Sequence, residues 1–406
     1  MKLPKGWKKG RFGELATFRN GLNFVLSDSG DVVSVVGVKD FQRNFSIGYE
    51  NLEKVRIAGR LSEDDLLRND DLLFVRSNGN KALVGRCLLI KSISKQISFS
   101  GFTIRARLRS ADACSTYLGY YFHSGYARRK IDQAGGGTNI ANLSQDVLAS
   151  IDIPLPPLPE QRKIAEILGA WDDGLETLDA LIAAKERRKK GLMQRLLTGK
   201  RRVKGIASKW ATFKLGQLFS ERVEQNRADL PLLAITADRG VLPRDELSKR
   251  DTSSEDKSKY LRIVPGDIGY NTMRMWQGVS ALSALEGIIS PAYTVCIPSG
   301  KIDGCFAAHF FKLPHTIHLF RRHSQGLVDD TLNLKYPNFA TIEVRIPTDV
   351  AEQRAIADML DACDEELCLL RDQRAAVERQ KRGLMQRLLT GRVRTRTHGQ
   401  TRTDKD

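Results

Sequence analysis

Apolar residues recur every three or four positions through two long segments of the chain, which predicts two long helices. The stripe comprises Ile164, Leu168, Trp171, Leu175, Leu178, Ile182, Leu192 and Leu196 in the first segment, and Ile356, Leu360, Cys363, Leu367, Leu370, Val377, Leu384 and Leu388 in the second. A period near 3.5 is typical of a coiled-coil seam. A helix of about 38 residues would span roughly 57 Å.

The two helical segments are copies of each other. Residues 160–200 and 352–392 are identical at 24 of 41 positions and align without insertion or deletion. Both begin with Glu-Gln-Arg and end with Gly-Leu-Met-Gln-Arg-Leu-Leu-Thr-Gly. Each copy is acidic early and basic late, so antiparallel pairing would set opposite charges together. Gly191 and Gly383 suggest a close helix crossing or a local break.

Pairing within one chain is favoured, because linkage raises the effective concentration of the two helices. A coil between copies of the chain is the alternative.

The two segments that precede the helices, about 1–155 and 205–350, are mostly strand-like and also resemble each other, which indicates a tandem duplication. Predicted strands include Val32–Val36, Leu72–Val75, Arg86–Ile90, Tyr293–Ile297 and Ile342–Ile346, and one helix is expected in each segment, at about Ser115–Ile131 and Gly304–His323. Asp71 to Phe74 before Arg76 is echoed by Asp267 to Tyr270 before Arg274, and Asn142-Leu143 by Asn333-Leu334.

Composition narrows the class of partner. The 406 residues carry a net charge of +17, which favours an acidic polymer, most simply nucleic acid. Six scattered cysteines without a CxxC pair indicate a reducing compartment. The sequence shows no signal peptide and no stretch approaching 18 apolar residues, so we expect a soluble, cytoplasmic protein without membrane contact.

Motifs for catalysis are not found. The sequence has no GxxxxGK[ST] phosphate loop, and Tyr336-Pro337-Asn338-Phe339 has the wrong order for the methyltransferase base-binding motif. The histidines at 309, 315, 318 and 323, with Cys305, match no usual zinc spacing, and surface or packing roles are the better interpretation. We therefore expect no catalytic residue and no metal site.

Polar residues in predicted loops suit DNA contact, because Arg, Asn and Gln make bidentate contacts with base edges and glycine lets the backbone approach a groove. The candidates are Arg76, Asn78, Asn80, Lys81, Arg86, Thr138 and Asn139 in the first segment, and Asn271, Arg274, Gln277 and Lys335 in the second. For each, a solvated loop or turn role is the simpler alternative. Trp276 is more typical of a core residue than of a stacking platform.

The two Glu-Gln-Arg helices, each preceded by an apolar strand ending in proline, resemble those of the specificity subunit of type I restriction-modification systems. Residues 266–278 with 287–293, and residues 71–79, look like the target-recognition pattern of that family. The resemblance covers roughly residues 5 to 392. The first segment departs from it, with Val75-Arg76-Ser77-Asn78 where the second has Met273-Arg274-Met275-Trp276.

The resemblance implies an α+β fold. Two similar mixed α/β target recognition domains would be separated by a pair of long antiparallel coiled-coil helices, with intramolecular pseudo-twofold symmetry. The domains would be 1–155 and 201–350, the helices 156–200 and 351–392, and residues 393–406 a disordered tail.

The resemblance also implies that each domain reads one half of a bipartite site on double-stranded DNA. The helices would fix the spacer and dock two methylation subunits, and restriction subunits would join. This chain would bind no cofactor, with S-adenosylmethionine, ATP and Mg expected on those partners. The alternative is a non-catalytic coiled-coil adaptor that binds DNA non-specifically.

Overall fold

A computed structural model describes residues 3–23, 26–41, 45–48, 52–57, 61–134, 142–237, 239–247 and 254–395. The chain divides into two compact units. The first contains residues 1–178 and 373–406, and the second contains residues 179–372. Each unit thus includes one globular segment and part of each long helix.

The first unit is built around a mixed sheet with the strand order β2-β9-β6-β7-β4. Its strands are β1 (Lys8–Arg11), β2 (Ala16–Asn20), β3 (Leu26–Val36), β4 (Ser46–Ile47), β5 (Glu53–Ile57), β6 (Leu72–Val75), β7 (Cys87–Ile90), β8 (Ile97–Phe99), β9 (Thr103–Leu108) and β10 (Asp152–Leu155). Its helices are α1 (Phe12–Leu15), α2 (Ser115–His123), α3 (Gly125–Ala134), α4 (Gln145–Ala149) and the first part of α5 (Leu158–Leu196). A smaller sheet has the order β5-β3-β8, and β1 pairs with β10.

Strand β6 shows why a continuous apolar run forms a strand here. Side chains alternate between the two faces of a strand, so Leu72 and Phe74 join the core shared with the helices. Leu73 and Val75 join a second core beneath the smaller sheet. Both faces are covered, so β6 needs no polar alternation.

The second unit repeats the central strand order as β12-β19-β16-β17. Its strands are β11 (Trp210–Lys214), β12 (Phe219–Arg222), β13 (Leu233–Ile235), β14 (Val241–Pro243), β15 (Leu261–Ile263), β16 (Ile268–Asn271), β17 (Ser280–Leu282), β18 (Gly287–Ile289), β19 (Tyr293–Pro298) and β20 (Glu343–Pro347). Its helices are α6 (Leu215–Leu218), α7 (Gly304–Phe310), α8 (Pro314–His323), α9 (Tyr336–Ala340) and the first part of α10 (Val350–Leu389). The match to β2-β9-β6-β7 confirms the predicted duplication.

Each single helix predicted inside a globular segment is instead a pair, α2 with α3 and α7 with α8. In the second unit Pro314 starts α8, because proline has no N–H for the preceding turn and clashes with a continuing helix. In the first unit the Ser124 hydroxyl accepts the Ala127 N–H at 3.2 Å and caps the start of α3. Both predictions of one continuous helix are wrong at these positions.

The long helices pack in opposite directions in each unit, as predicted. In the first unit Lys381 pairs with Asp172, and Arg394 pairs with Glu160. Moving forward from Lys381 to Arg394 therefore means moving backward from Asp172 to Glu160. In the second unit Lys185 pairs with Glu366 and Lys189 with Asp364. The basic part of each helix therefore meets the acidic part of the other.

Gly191 and Gly383 do not mark a crossing or a break. A Cβ atom built at either position would meet no atom within 4 Å, and the helices run through both. Among the described residues no helix is both long and apolar enough to cross a membrane.

The glutamine of each Glu-Gln-Arg motif explains why the motif recurs. Gln161 is fully buried, accepts the Cys114 N–H at 2.8 Å, and donates to the carbonyls of Asp112 and Pro156. Gln353 accepts the Asp303 N–H at 2.8 Å and donates to the carbonyls of Lys301 and Pro347. Each amide thus fastens a long helix to the segment before α2 or α7 and to the end of a strand.

The glutamate of each motif forms an ion pair with an arginine that comes shortly after the end of the other long helix. Arg394 holds Glu160 with two bonds at 2.7 and 2.8 Å, and Arg202 holds Glu352 at 2.8 and 2.9 Å. Burial alone would raise the pKa of Glu352, but the bonds from Arg202 and Ser208 outweigh it and lower that pKa. Arg394 belongs to the predicted tail; residues 396–406 lie outside the described residues.

Candidate nucleic-acid interface

The first candidate loop, residues 75–86, joins β6 to β7 and is called here the first hairpin loop. Its base is closed by two backbone bonds, from Val75 N to Arg86 O at 3.0 Å and from Gly85 N to Val75 O at 2.8 Å. Gly85 has a φ of +79°, a left-handed conformation that glycine adopts without strain. The loop therefore has a defined shape.

Arg76 lies at the point where three segments of the first unit meet. Its N–H donates to Phe102 O at 2.8 Å, and its carbonyl accepts the Leu143 N–H at 2.7 Å. Arg76 is half-buried, and Phe102, whose carbonyl accepts its N–H, is 58 % exposed. The backbone of Arg76 is therefore fixed by its neighbours.

Of the remaining candidates in the first unit, some form turns of the loop and some are exposed to solvent. Asn78 Oδ1 accepts the Asn80 N–H at 2.8 Å, and Asn80 Oδ1 accepts the Ala82 N–H at 3.1 Å, so both side chains shape the loop. Asn80, Lys81 and Arg86 are exposed. Thr138 and Asn139 lie outside the described residues, in 135–141.

A cation from the helix pair anchors the first hairpin loop. Arg128 of α3 donates through Nη1 to Val84 O at 2.5 Å, and its Nε lies 3.1 Å from Asp132. The charged hydrogen bond fixes the side of the loop opposite Arg76.

The second candidate loop, residues 271–279, joins β16 to β17 and is called the second hairpin loop. Asn271 N donates to Val279 O at 3.0 Å, and Asn271 Oδ1 accepts the Met273 N–H at 3.0 Å. A 3-10 turn follows, in which Met275 is fully buried while Arg274 and Gln277 are exposed. Burial of Met275 thus holds its two polar neighbours at the surface.

Lys312, between α7 and α8, anchors the second hairpin loop. Its Nζ donates to Gly278 O at 2.6 Å and Ser280 O at 2.8 Å, and lies 3.5 Å from Ala237 O. Burial lowers the pKa of Lys312 to about 8. The ammonium is therefore a structural part of the loop.

Trp276 and Lys335 complete the second set. Trp276 Nε1 donates to Met273 O at 3.0 Å, and the Arg321 guanidinium lies 5.5 Å from the Trp276 ring centre. Trp276 is half-exposed and belongs to none of the core clusters formed by described residues. Lys335 is exposed and follows Leu334, whose N–H donates to Thr272 O at 2.9 Å.

The backbone contacts show which positions of the two hairpin loops correspond. Thr272 donates to Ala292 O and accepts the Leu334 N–H, as Arg76 does with Phe102 and Leu143. Arg76 therefore corresponds to Thr272. The sequence comparison of Arg76 with Arg274 is wrong by two residues.

Asn78 lies at the position that corresponds to Arg274, given the equivalence of Arg76 with Thr272. The first hairpin loop is three residues longer than the second, because Phe74 pairs with Cys87 whereas Tyr270 pairs with Ser280. Beyond the shared backbone contacts the two loops therefore differ in both length and side chains.

Three functional neighbours were missed by sequence reasoning, namely Arg128, Lys312 and Arg321. Each acts through a contact with a hairpin loop that is distant along the chain. The basic residues of α3 and α8 were the available signal for Arg128 and Arg321, but basic helix surfaces are common and do not identify a partner. Lys312 lies between α7 and α8, outside both clusters.

The histidines considered for metal binding are not grouped together. Among the described residues His309, Asp361 and Asp364 have ligand atoms within 4.8 Å of one another. His309 Nε2 lies 2.7 Å from Asp361 Oδ1, and Lys189 pairs with Asp364. A network of ion pairs and hydrogen bonds between helices accounts for this cluster.

Comparison with known proteins agrees with this architecture. Residues 4–186 match the family model of the type I restriction modification DNA specificity domain. The chain is 26 % identical over 293 residues to the type I restriction enzyme MjaVIII specificity subunit of Methanocaldococcus jannaschii, a match that covers 64 % of this chain and 66 % of that relative. The match therefore spans just under two thirds of that relative's length.

Two solved structures share the fold. One concerns complex assembly and conformational transition of the type I R-M system, and matches with a TM-score of 0.59 and 17 % identity over 97 % of this chain and 100 % of that one. The other is the type I restriction-modification system S subunit from M. genitalium, with a TM-score of 0.55 and 15 % identity over 96 % of this chain and 98 % of that one. The sequence matches and the two structures agree in likening this chain to type I restriction-modification specificity subunits, and the structures show that it shares the fold of both solved chains.

Proposed function

We propose that this chain recognises a bipartite site on double-stranded DNA. The first unit reads one half through the first hairpin loop, and the second unit reads the other half through the second. One observation carries the proposal: two loops with different lengths and side chains are held by the same backbone contacts on duplicated sheets. A shared scaffold with different displayed side chains is what two different half-sites require.

The side chains of the hairpin loops suit base and phosphate contacts. Arg274 and Gln277 are exposed next to buried Met275, and Arg and Gln form paired hydrogen bonds with guanine and adenine edges. Lys81 and Lys335 are exposed and fit phosphate contacts. The net charge of +17 supports attraction to the phosphate backbone.

The proposed protein partners are two methylation subunits, which bind the long helices, and restriction subunits. S-adenosylmethionine, ATP and Mg would act on those partners, and no catalytic step is assigned to this chain. The relatives are named specificity subunits, and a structural neighbour comes from work on type I complex assembly. In the second unit Leu181, Met359 and Leu369 of the long helices are exposed, and a docked methylation subunit would cover them.

The helices are also proposed to fix the spacer between the half-sites, which the uninterrupted length of α5 and α10 supports. Inserting about four residues, close to one helical turn, at matched points in both helices should change the preferred spacer and leave both half-sites unaltered.

The decisive experiment sequences the methylated positions of a host that carries the full system. Arg274→Ala should reduce the binding preference for one base of one half-site by about 1–3 kcal/mol. Replacing residues 205–350 with those of a relative should change the sequence of that half-site alone. Asn78→Ala, at the position that corresponds to Arg274, is the matched variant for the other half-site. Uniform loss of methylation, indifferent to sequence, would instead support a non-specific adaptor.

A further inference from the structure

Two adjacent apolar residues of the second unit are exposed in one loop. This loop, residues 325–333, connects α8 to α9 and is called here the tip loop. Leu327 has 102 % and Val328 60 % of its reference surface exposed. Adjacent apolar side chains held in water lose free energy that contact with a partner would recover.

The tip loop is a formed hairpin. Gln325 and Asn333 exchange two backbone bonds, each of 2.8 Å, at its base. Thr331 N donates to Val328 O at 2.9 Å, and Thr331 Oγ1 accepts the Val328 N–H at 3.3 Å. These bonds fix the backbone around Val328 in a conformation that exposes the apolar pair.

The tip loop is physically connected to the second hairpin loop. Arg321 pairs with Asp329 of the tip loop at 2.8 Å and lies over the ring of Trp276 in the second hairpin loop. On the other side, Leu334 N donates to Thr272 O. Both loops therefore belong to one surface.

The charges on this surface favour DNA as the partner. Arg274 of the second hairpin loop is exposed, and so is Lys335, which follows the tip loop by two residues. Within the tip loop Asp330 is exposed, and its carboxylate would be repelled by a phosphate. Leu327 and Val328 are the apolar side chains that the tip loop exposes. In the major groove the apolar group on base edges is the C5 methyl of thymine.

We propose that Leu327 and Val328 contact thymine methyl groups in the half-site bound by the second unit. This contact rests on the proposed function and adds a specificity-determining element to it. The corresponding segment of the first unit, before Asn142, includes residues 135–141, which lie outside the described residues.

The test uses the full-length chain, alone and with its methylation subunits. A pool of random DNA duplexes first yields the preferred site. Binding is then measured for that duplex and for a copy with uracil in place of thymine in the second half-site, which removes only the methyl groups. Wild type should lose about threefold per contacted methyl.

The double variant Leu327→Ser with Val328→Ser should bind the thymine duplex about tenfold more weakly and lose nothing further with uracil. Val223→Ser is the matched control, because Val223 is 68 % exposed in the same unit but outside both loops. It should bind like wild type. Thermal unfolding and unchanged preference for the first half-site check that the double variant is folded.

Several outcomes would overturn the contact. These are binding by the double variant within twofold of wild type with the uracil effect retained, a second half-site without thymine, or normal DNA binding with lost assembly onto methylation subunits. The last would assign the apolar pair to a protein interface. A wild-type chain that enriches no site would refute the proposed function itself, and the contact with it.

Discussion

The two hairpin loops are held by matching backbone bonds but by different cations. Arg128 donates to one carbonyl of the first loop, whereas Lys312 donates to two carbonyls at the base of the second. The first loop is also three residues longer. The central strand order and the backbone bonds to the loops are the same in both units, whereas the loop length and the cation that holds the loop differ. One fold can in this way present two different DNA-contacting surfaces.

A second comparison concerns the aspartate that precedes each central strand. Asp71 accepts the Arg68 N–H at 2.7 Å and pairs with Arg107 of β9. Asp267 accepts the Val264 N–H at 3.0 Å but pairs with Arg222 of β12. The buried carboxylate keeps its backbone bond, and only the strand that supplies its guanidinium changes.

The largest expected effect tests whether the two glutamine contacts are equivalent. Gln161→Leu and Gln353→Leu should each destabilise their own unit by about 3 kcal/mol, because three backbone groups lose their partner. Hydrogen exchange of backbone amides should rise near α2 for the first variant and near α7 for the second. Gln194→Leu, at an exposed position of α5, is the control and should change little. A purely global response would show that the units do not behave separately.

The anchoring cations give the next effect. Lys312→Met should weaken binding to the second half-site by about 2 kcal/mol, because the carbonyls of Gly278 and Ser280 lose a charged donor. Arg128→Met should instead weaken binding to the first half-site. Competition between duplexes with one half-site scrambled measures each separately, with Lys259→Met as an exposed control. Equal loss at both half-sites for either variant would contradict local anchoring.

Replacing the helix glycines should have a smaller and stabilising effect. Gly191→Ala and Gly383→Ala should each add about 1 kcal/mol, because alanine favours the helix and open space surrounds both positions. Urea unfolding of the full chain measures the change. Loss of stability would mean that the helix needs glycine here for a reason absent from these contacts.

The smallest effect is a pH dependence confined to one half-site. Because the pKa of Lys312 is lowered to about 8, the folded chain releases this proton below the ordinary lysine value of about 10.4. The cost of burying the charged ammonium is fully present below pH 8. It is relieved between about pH 8 and 10.4, where stability gains.

The anchor itself weakens in that range, since a neutral amine has fewer donors. Raising the pH from 7 to 9 should therefore weaken binding to the second half-site by about threefold. Binding to the first half-site should stay unchanged, because the Arg128 guanidinium keeps its charge. Binding to duplexes with one scrambled half-site measures this difference. Parallel weakening at both half-sites would point to another titrating group.

The sequence was sufficient to predict the long helices, the central strands and the antiparallel pairing of the helices. The apolar spacing and the charge distribution that determine them can be seen within each segment. Sequence comparison aligned Arg76 with Arg274, but the register depends on which carbonyl accepts each backbone N–H, as for Arg76 and Thr272. The anchoring by Lys312 depends on carbonyls more than 30 residues away along the chain. Such tertiary contacts leave no periodic mark in the sequence.

The arginine contacts at the ends of the long helices differ in how they are tethered. Arg202 and Ser208 both bond the Glu352 carboxylate, which lies 150 and 144 positions further along the chain. Arg394 instead reaches Glu160 and the carbonyl of Lys5 across 234 and 389 positions of sequence. Removing residues 390–395 should therefore free the Glu160 carboxylate from its guanidinium in the first unit and leave the contacts of Glu352 intact, whereas added salt should weaken both arginine contacts alike.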